Sequence, residues 1–346
     1  MNNTERVERN PKAMTDCYTS AHEARSGPGD ARSTARQIDQ DEQLEGQLTC
    51  KVILITGCSS RIGLETACAL SFHRSYTLRH RMQLAKGKPG ARGPRAQSPR
   101  AHLLQLDLES LVSAKACAAE FLSKSQRLDI LICNAGIMAV PEGRTQDGFE
   151  RDFGVNHLTH FLLFNFLQPA LLKSTTPERT SRVAILSSQT HRIGQVDFED
   201  INHEQYYDLT AAYGASKIAN VWTFNEIERR YGHLGIHSLS VHPGFTQTDL
   251  GRHLSEEQLA SIASDPYALA TLKSTEQGTT TSVCAAVASE LEGRGGRFLE
   301  DCQIAEPMNP DAHYLAAGHG MQAYDERQAV KLWDIPIGLV RSYLGK

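Results

Sequence analysis

Three things are missing from this sequence of 346 residues, and each absence closes off a class of protein. Its eight cysteines include no Cys-x-x-Cys pair, so they read as reduced thiols of a cytoplasmic protein rather than a disulfide framework. The opening MNNTERVERNPKAM lacks the apolar stretch of a signal peptide, which argues against secretion. The longest apolar run, FLLFNFL at Phe161–Leu167, is far too short to span a bilayer. A formal net charge of −4 gives no global attraction to nucleic acid or to an anionic membrane surface. Large apolar side chains are scarce before about residue 45. Residues 1–47 are therefore expected to form a disordered polar tail, and residues 48–346 a single folded domain.

From Lys51 onward short apolar runs alternate with helical periods. The runs are KVILI, HLLQL (His102–Leu106), DILIC (Asp129–Cys133), RVAIL (Arg182–Leu186) and IHSLSV (Ile236–Val241). Helical spacing covers Leu111–Leu122, Asp147–Leu172, Leu209–Tyr231 and Thr275–Leu291. Near-continuous apolar strands separated by helices predict a doubly wound α/β fold, a parallel sheet covered on both faces. Ligands of such a fold sit beyond the carboxyl ends of its strands.

The second strand region is irregular. From Phe72 to Leu106 there are eight Lys or Arg residues and neither Asp nor Glu, with several Gly and Pro between them. The stretch reads as a basic surface loop, as an attractor for a phosphate, or as a damaged segment. SYTLRHRMQL within it could form a poor strand.

AAYGASKIANVWTF sets Tyr213 and Lys217 four residues apart, hence on one helical face. A free phenol, with a pKa near ~10, is a poor acid–base group at neutral pH; an adjacent ammonium is expected to lower it. The pair is weak evidence alone. It stands, however, in an ordered series: TGCSSRIG after the first strand, Asp107 after HLLQL, CNAG after DILIC, VNHLTHF in a helix, LSS after RVAIL, and HPGFTQT after IHSLSV.

This order and spacing resemble the short-chain dehydrogenase/reductase family from Lys51 to about Cys302. The phrasing of NHLTHF, SSQTHR, AYGASKIAN and CAAVASELEGRGGRFLEDC is similar to its retinol-dehydrogenase and WW-domain oxidoreductase branch, here as a fungal-type member without WW domains. The resemblance implies a Rossmann-type fold and an NAD(P)-dependent oxidoreductase acting on an alcohol or its carbonyl. It implies Tyr213 as acid–base, with Lys217 holding the nicotinamide ribose and tuning the phenol. Ser188 would bind the substrate oxygen, and Asn156 would support a proton relay. Gly57, Ser59, Ser60, Arg61, Ile62 and Gly63 would form the phosphate loop. Asp107, Asn134, Ala135 and Gly136 would line the adenosine side; Pro243, Gly244, Thr246 and Thr248 would shape the nicotinamide end. By fold-level analogy its fungal relatives place it in secondary metabolism.

Simpler readings stand beside these. Ser188 could end a strand, Asp107 could cap a helix, and Asn156 could be a buried amide. His157 and His160 lack a further ligand cluster and read as core residues, so no metal is expected.

Arg61 departs from the pattern, standing where the loop calls for a glycine that lets backbone approach the pyrophosphate. Either its guanidinium clamps a phosphate, or it fills the site and leaves a cofactor-impaired scaffold. The missing acid after the second strand, with Arg79, Arg81, Lys86 and Lys88 in its place, predicts NADP (as NADPH) over NAD. The segment after Thr248 reads as a helical lid over about 249–275. Leu250, Leu254, Leu259, Ile262 and Tyr267 suit it to a mainly hydrophobic small-molecule substrate. Excess apolar surface on the Tyr213 helix (Ala219, Val221, Trp222, Phe224) is explained equally by core packing or by a homodimer.

Overall fold

The computed structural model describes Tyr18, residues 21–44, Leu48, residues 51–59, 61–71, 76–81, 101–177 and 179–344. Each expected strand forms within a residue or so of its apolar run: β1 (Val52–Ile55), β3 (Ala101–Gln105), β4 (Ile130–Cys133), β5 (Ser181–Leu186) and β6 (Ile236–His242). The irregular region does supply β2, Tyr76–Arg81, which pairs in parallel with β1 on one side and β3 on the other. Two strands the apolar pattern did not announce, β7 (Arg297–Glu300) and β8 (Gln303–Ile304), complete the far edge.

The eight strands run in the order β3-β2-β1-β4-β5-β6-β7-β8, all parallel except the β7–β8 pair. The winding reverses between β1 and β4. Beyond the carboxyl ends of these two strands, where a fold of this kind binds its ligands, Thr56 and Gly57 meet Asn134 and Ala135.

Strand alternation divides the core in two. Ile53, Ile55, Ile130 and Ile132 face a layer containing α1 (Ala35–Asp41), α2 (Arg61–Ser71) and α8 (Thr275–Val287). Leu54, Leu131, Val183 and Ile185 face α3 (Leu111–Lys124), α4 (Thr159–Leu172), α5 (Leu209–Tyr231) and α9 (Glu326–Leu344). Serine and aspartate caps start several of these helices: Ser110 at α3, Asp208 at α5, and a full capping box of Ser274 and Gln277 at α8. The α3 cap is thus Ser110 and not Asp107.

One expectation is corrected here. The described part of the stretch expected to be disordered is folded: Tyr18, Ala35 and Ile38 are buried, and Tyr18 donates to Asp41 Oδ2 at 2.6 Å. A few apolar residues, Tyr18, Ala35, Ile38, Leu44 and Leu48, join the core, and Arg32 adds bonds to backbone carbonyls, so the scarcity of large apolar residues was a poor guide. The surplus apolar surface of α5 is also accounted for within the chain. Ala219, Val221, Trp222 and Phe224 are buried, α9 lies along the helix, and Trp222 Nε1 donates to Gln322 O at 2.7 Å. Core packing therefore accounts for those four side chains, which leaves the homodimer a proposal.

Candidate active site

Helix α5 presents Tyr213 and Lys217 one turn apart, both 4% exposed, with Lys217 Nζ 5.4 Å from the centroid of the Tyr213 ring. Lys217 Nζ donates to Leu186 O at 3.1 Å, and Ser187 Oγ donates to Lys217 O at 2.9 Å, which ties the helix to the end of β5. Ser188 caps the short turn Gln189–Arg192, accepting from Thr190 N, and its hydroxyl acts on the nearby Tyr213 phenol to lower its pKa. A close backbone approach fixes this geometry. A Cβ on Gly194 would lie 2.1 Å from Gly214 O, so the loop after Ser188 rests directly on the residue after Tyr213.

Burial pushes the Tyr213 phenol above its ordinary value, while the Ser188 hydroxyl opposes and the Asp152 charge adds to the rise. The lowering expected from Lys217 is not what the structure gives. Burial itself brings Lys217 down to about 8, Asp152 pulling the other way, so the ammonium is a weakened cation.

Asn156 sits in a π-helical turn, Gly154–Leu158, that opens α4. Its Oδ1 accepts from Ile137 N at 2.8 Å, and its Nδ2 donates to Ile137 O and Ser216 Oγ. A Cβ on Gly136 would come within 3.0 Å of that Oδ1 and 3.4 Å of Lys217 Nζ, so the β4 turn, Asn156 and Lys217 meet. His160 adds a brace. Its Nδ1 lies 3.0 Å from Asn156 O, which can only accept; the ring then accepts at Nε2 from the Thr56 hydroxyl, also at 3.0 Å. His157 is buried, with Nδ1 3.2 Å from Asn220 Oδ1. Both histidines are core residues, and no group of metal-holding side chains occurs among the described residues.

Sequence reasoning passed over Asp152. It is fully buried, and neither carboxylate oxygen has a hydrogen-bond partner among the described residues. Burial and the Glu150 charge hold it up at about 7. The available signal was an acid four residues before Asn156 in an apolar helix.

The first turn keeps its glycine geometry. Gly57 has φ +74° with Ala135 Cα 2.8 Å from any added Cβ; at Gly63 an added Cβ would meet Gly57 O at 2.3 Å. Cys58 and Ile62 are buried, Ser59 is half-buried, and Ser60 lies outside the described residues. Arg61 itself takes the left-handed φ of +52° that favours glycine. Its half-exposed guanidinium pairs with Asp249, Nη2 to Oδ1 at 2.9 Å. The loop path is therefore preserved, and the charge is engaged with the start of the lid.

Asn134 Nδ2 donates to Thr56 O at 2.9 Å, Ala135 N donates to Thr56 Oγ1, and the buried Asn134 Oδ1 is left without a partner among the described residues. Asp107 accepts from Glu109 N and Gln146 Nε2. After β6, Gly244 has φ +85°, and an added Cβ would lie 2.7 Å from Lys273 Nζ. Thr246 Oγ1 donates toward Pro243 O and Gly244 O, and Thr248 caps the turn Asp249–His253. The basic side chains behind the NADP expectation, from Arg79 to Lys88, lie outside what the structure describes.

The segment expected to form a lid consists of Asp249–His253, α6 (Glu256–Ser264) and α7 (Pro266–Thr271). It is thinly packed: α6 buries no side chain, and Leu259 and Tyr267 are exposed, while Leu250, Leu254 and Ile262 are half-buried.

A phenol, a serine hydroxyl and a lysine thus meet beyond the end of β5, near a glycine-tight turn after β1. Residues 51–259 match the family described as short chain dehydrogenase. The chain is 43% identical over 323 residues to the short-chain dehydrogenase/reductase prx1 of Penicillium roqueforti, covering 93% of this chain and 94% of that one. It is 37% identical over 302 residues to retinol dehydrogenase 14 of Mus musculus, covering 84% and 86% of the two chains. A solved structure of an uncharacterised protein from Mycobacterium paratuberculosis superposes with a TM-score of 0.62 at 28% identity, over 84% of this chain and 93% of that one. The chain belongs to the short-chain dehydrogenase/reductase family. No helix among the described residues is long and apolar enough to cross a membrane.

Proposed function

We propose that this protein is an NADP-dependent oxidoreductase that interconverts an alcohol and a carbonyl on a mainly hydrophobic small molecule. The single observation that carries the reading is the gathering of Ser188, Tyr213 and Lys217 beyond the end of β5, with Lys217 Nζ 5.4 Å from the Tyr213 ring centroid. The residues fit a dinucleotide. Gly57 and Gly63 let the end of β1 and the first turn of α2 pack directly on Asn134 and Ala135, which brings the α2 N-terminus to the switch point, and the buried Asn134 Oδ1 has no donor among the described residues. In this reading Lys217 holds the nicotinamide ribose, Asp107 and Asn134-Ala135-Gly136 border the adenosine, and Pro243, Gly244, Thr246 and Thr248 border the nicotinamide. When bound, the reduced nicotinamide supplies hydride.

The protein's own work is then at oxygen. Ser188 Oγ donates to the substrate carbonyl oxygen and fixes its approach. Tyr213, kept protonated by burial, gives its hydroxyl proton to the same oxygen as it gains negative charge. Asn156 and Lys217 hold the polar route behind the phenol. The half-buried apolar residues of the lid exclude water and favour an apolar substrate. Support for NADP is the acid-free, basic stretch from Phe72 to Leu106. Support for a place in fungal secondary metabolism rests on kinship with relatives such as prx1.

Fluorescence titration with NADPH and NADH tests the cofactor assignment. NADPH should bind the unmodified protein at least ~10-fold tighter than NADH, a difference of about 1.4 kcal/mol. Because Arg61 is exposed and engaged by Asp249, Arg61→Gly should move the NADPH affinity by less than ~10-fold. Tighter NADH refutes the NADP assignment. Binding seen only after Arg61→Gly would establish the cofactor-impaired alternative.

A further inference from the structure

We infer that residues 22–33 form a strap that positions the substrate lid and the loop after β6, with Arg32 as its positioning residue; this rests on the lid and loop roles proposed above. Arg32 is 2% exposed, and its guanidinium collects the carbonyls at the end of α7. Nη1 donates to Thr271 O at 2.6 Å, while Nη2 donates to Leu272 O at 2.6 Å, Gly27 O at 3.0 Å and Ala270 O at 3.3 Å. Those at 270–272 are carbonyls a helix end leaves unsatisfied, and a cation there also meets the negative end of the helix dipole. Asp30 holds the guanidinium from the other side, Nε to Oδ1 at 2.8 Å.

The strap is itself fixed to the body of the fold. Gln277, in the capping box of α8, donates to Asp30 Oδ1 and accepts from Gly29 N, and Thr280 Oγ1 donates to Ser33 O. At its start, His22 and Arg25 both pair with Asp301, which also pairs with Lys273 beneath Gly244. From the lid the path continues along the main chain. Lys273 N donates to Phe245 O at 2.7 Å, and Gln247 N donates to Lys273 O at 3.1 Å. Arg32 thus reaches the loop carrying Thr246 and Thr248 through two covalently adjacent residues. Apolar burial holds the lid weakly, since α6 buries no side chain and α7 only Ala268 and Thr271. Its other anchors are polar or at the surface, the Arg61–Asp249 and His313–Asp265 pairs and Tyr267 stacked on His313, so the buried Arg32 is the grip on its far end.

Hydrogen exchange followed by mass spectrometry, with reduction of para-nitrobenzaldehyde by NADPH, tests this on full-length Arg32→Met and Arg32→Lys. In Arg32→Met, amides of 256–272 should exchange at least ~10-fold faster, reflecting the loss of several charged hydrogen bonds, while those of 209–231 stay unchanged. KM for the aldehyde should rise ~5-fold or more with kcat within ~2-fold, and Arg32→Lys should recover part of both effects. Should Arg32→Met not fold, Gln277→Met breaks the same strap at Asp30 and is read in the same way. Unchanged exchange in 256–272, or an equal rise in 209–231, overturns the strap. If the unmodified protein fails to reduce the aldehyde, the proposed activity falls, and the exchange result alone decides the strap.

Discussion

Tyr213→Phe should lower kcat for carbonyl reduction by about 10³-fold, the order expected for loss of a general acid, while leaving the fold in place. The ring is buried in helix α5, and its hydroxyl meets Ser188, which keeps its bonds to Thr190. Removing the oxygen therefore leaves no new unsatisfied group, and stability should change by less than about 1.5 kcal/mol. Steady-state oxidation of NADPH, a thermal melt and an NADPH titration separate chemistry, folding and binding. Activity within ~10-fold of the unmodified protein would remove Tyr213 from the chemistry. Loss of NADPH binding in parallel would make it a structural residue.

The second large effect is expected at Gly63. An added Cβ there would lie 2.3 Å from Gly57 O and 2.4 Å from Asn134 Nδ2, and neither can step aside cheaply. Gly57 is held against Ala135, and the Asn134 amide is bound to Thr56 O. Gly63→Ala should destabilise the protein by about 1–3 kcal/mol, as overpacking does, and weaken NADPH at least ~100-fold through displacement of the turn. Differential scanning calorimetry and the same titration measure both. Gly338→Ala on α9 is the control, since its Cβ meets nothing within 4 Å; it should leave NADPH binding unchanged and raise stability by up to about 1 kcal/mol. A Gly63→Ala protein that binds NADPH normally would show that the tightness of this turn does not serve the cofactor.

The contrast with Arg61 shows where sequence is informative. Strand positions were legible because a buried parallel strand needs an unbroken apolar run, as in Val52–Ile55 and Ile130–Cys133. The Tyr213 helix was legible to the residue. At Arg61 the residue type left open whether the side chain would fill the turn. The structure answers by keeping a glycine-like φ and sending the charge to Asp249, 188 positions away in sequence. No local pattern encodes such a partner. The strap escaped for a related reason: Arg32 binds main-chain carbonyls, which every residue owns, so nothing in the lid's composition announces it. Helix α9 left a readable trace, since Ala329, Leu332, Trp333, Pro336 and Val340 recur at helical spacing. Asp152 stood in the sequence beside Glu150 and Arg151 as an ordinary surface acid would, and its burial depended on how the π turn orients the helix start.

The C-terminal helix also bears on how this enzyme can assemble. Because α9 already occupies the outer side of α5, with Arg230 set over the Trp333 ring at 4.7 Å, a second copy could reach that surface only by peeling the helix away. Self-association along α5 is thereby converted from simple docking into an exchange of segments, with a kinetic barrier set by how tightly each chain keeps its own terminal helix.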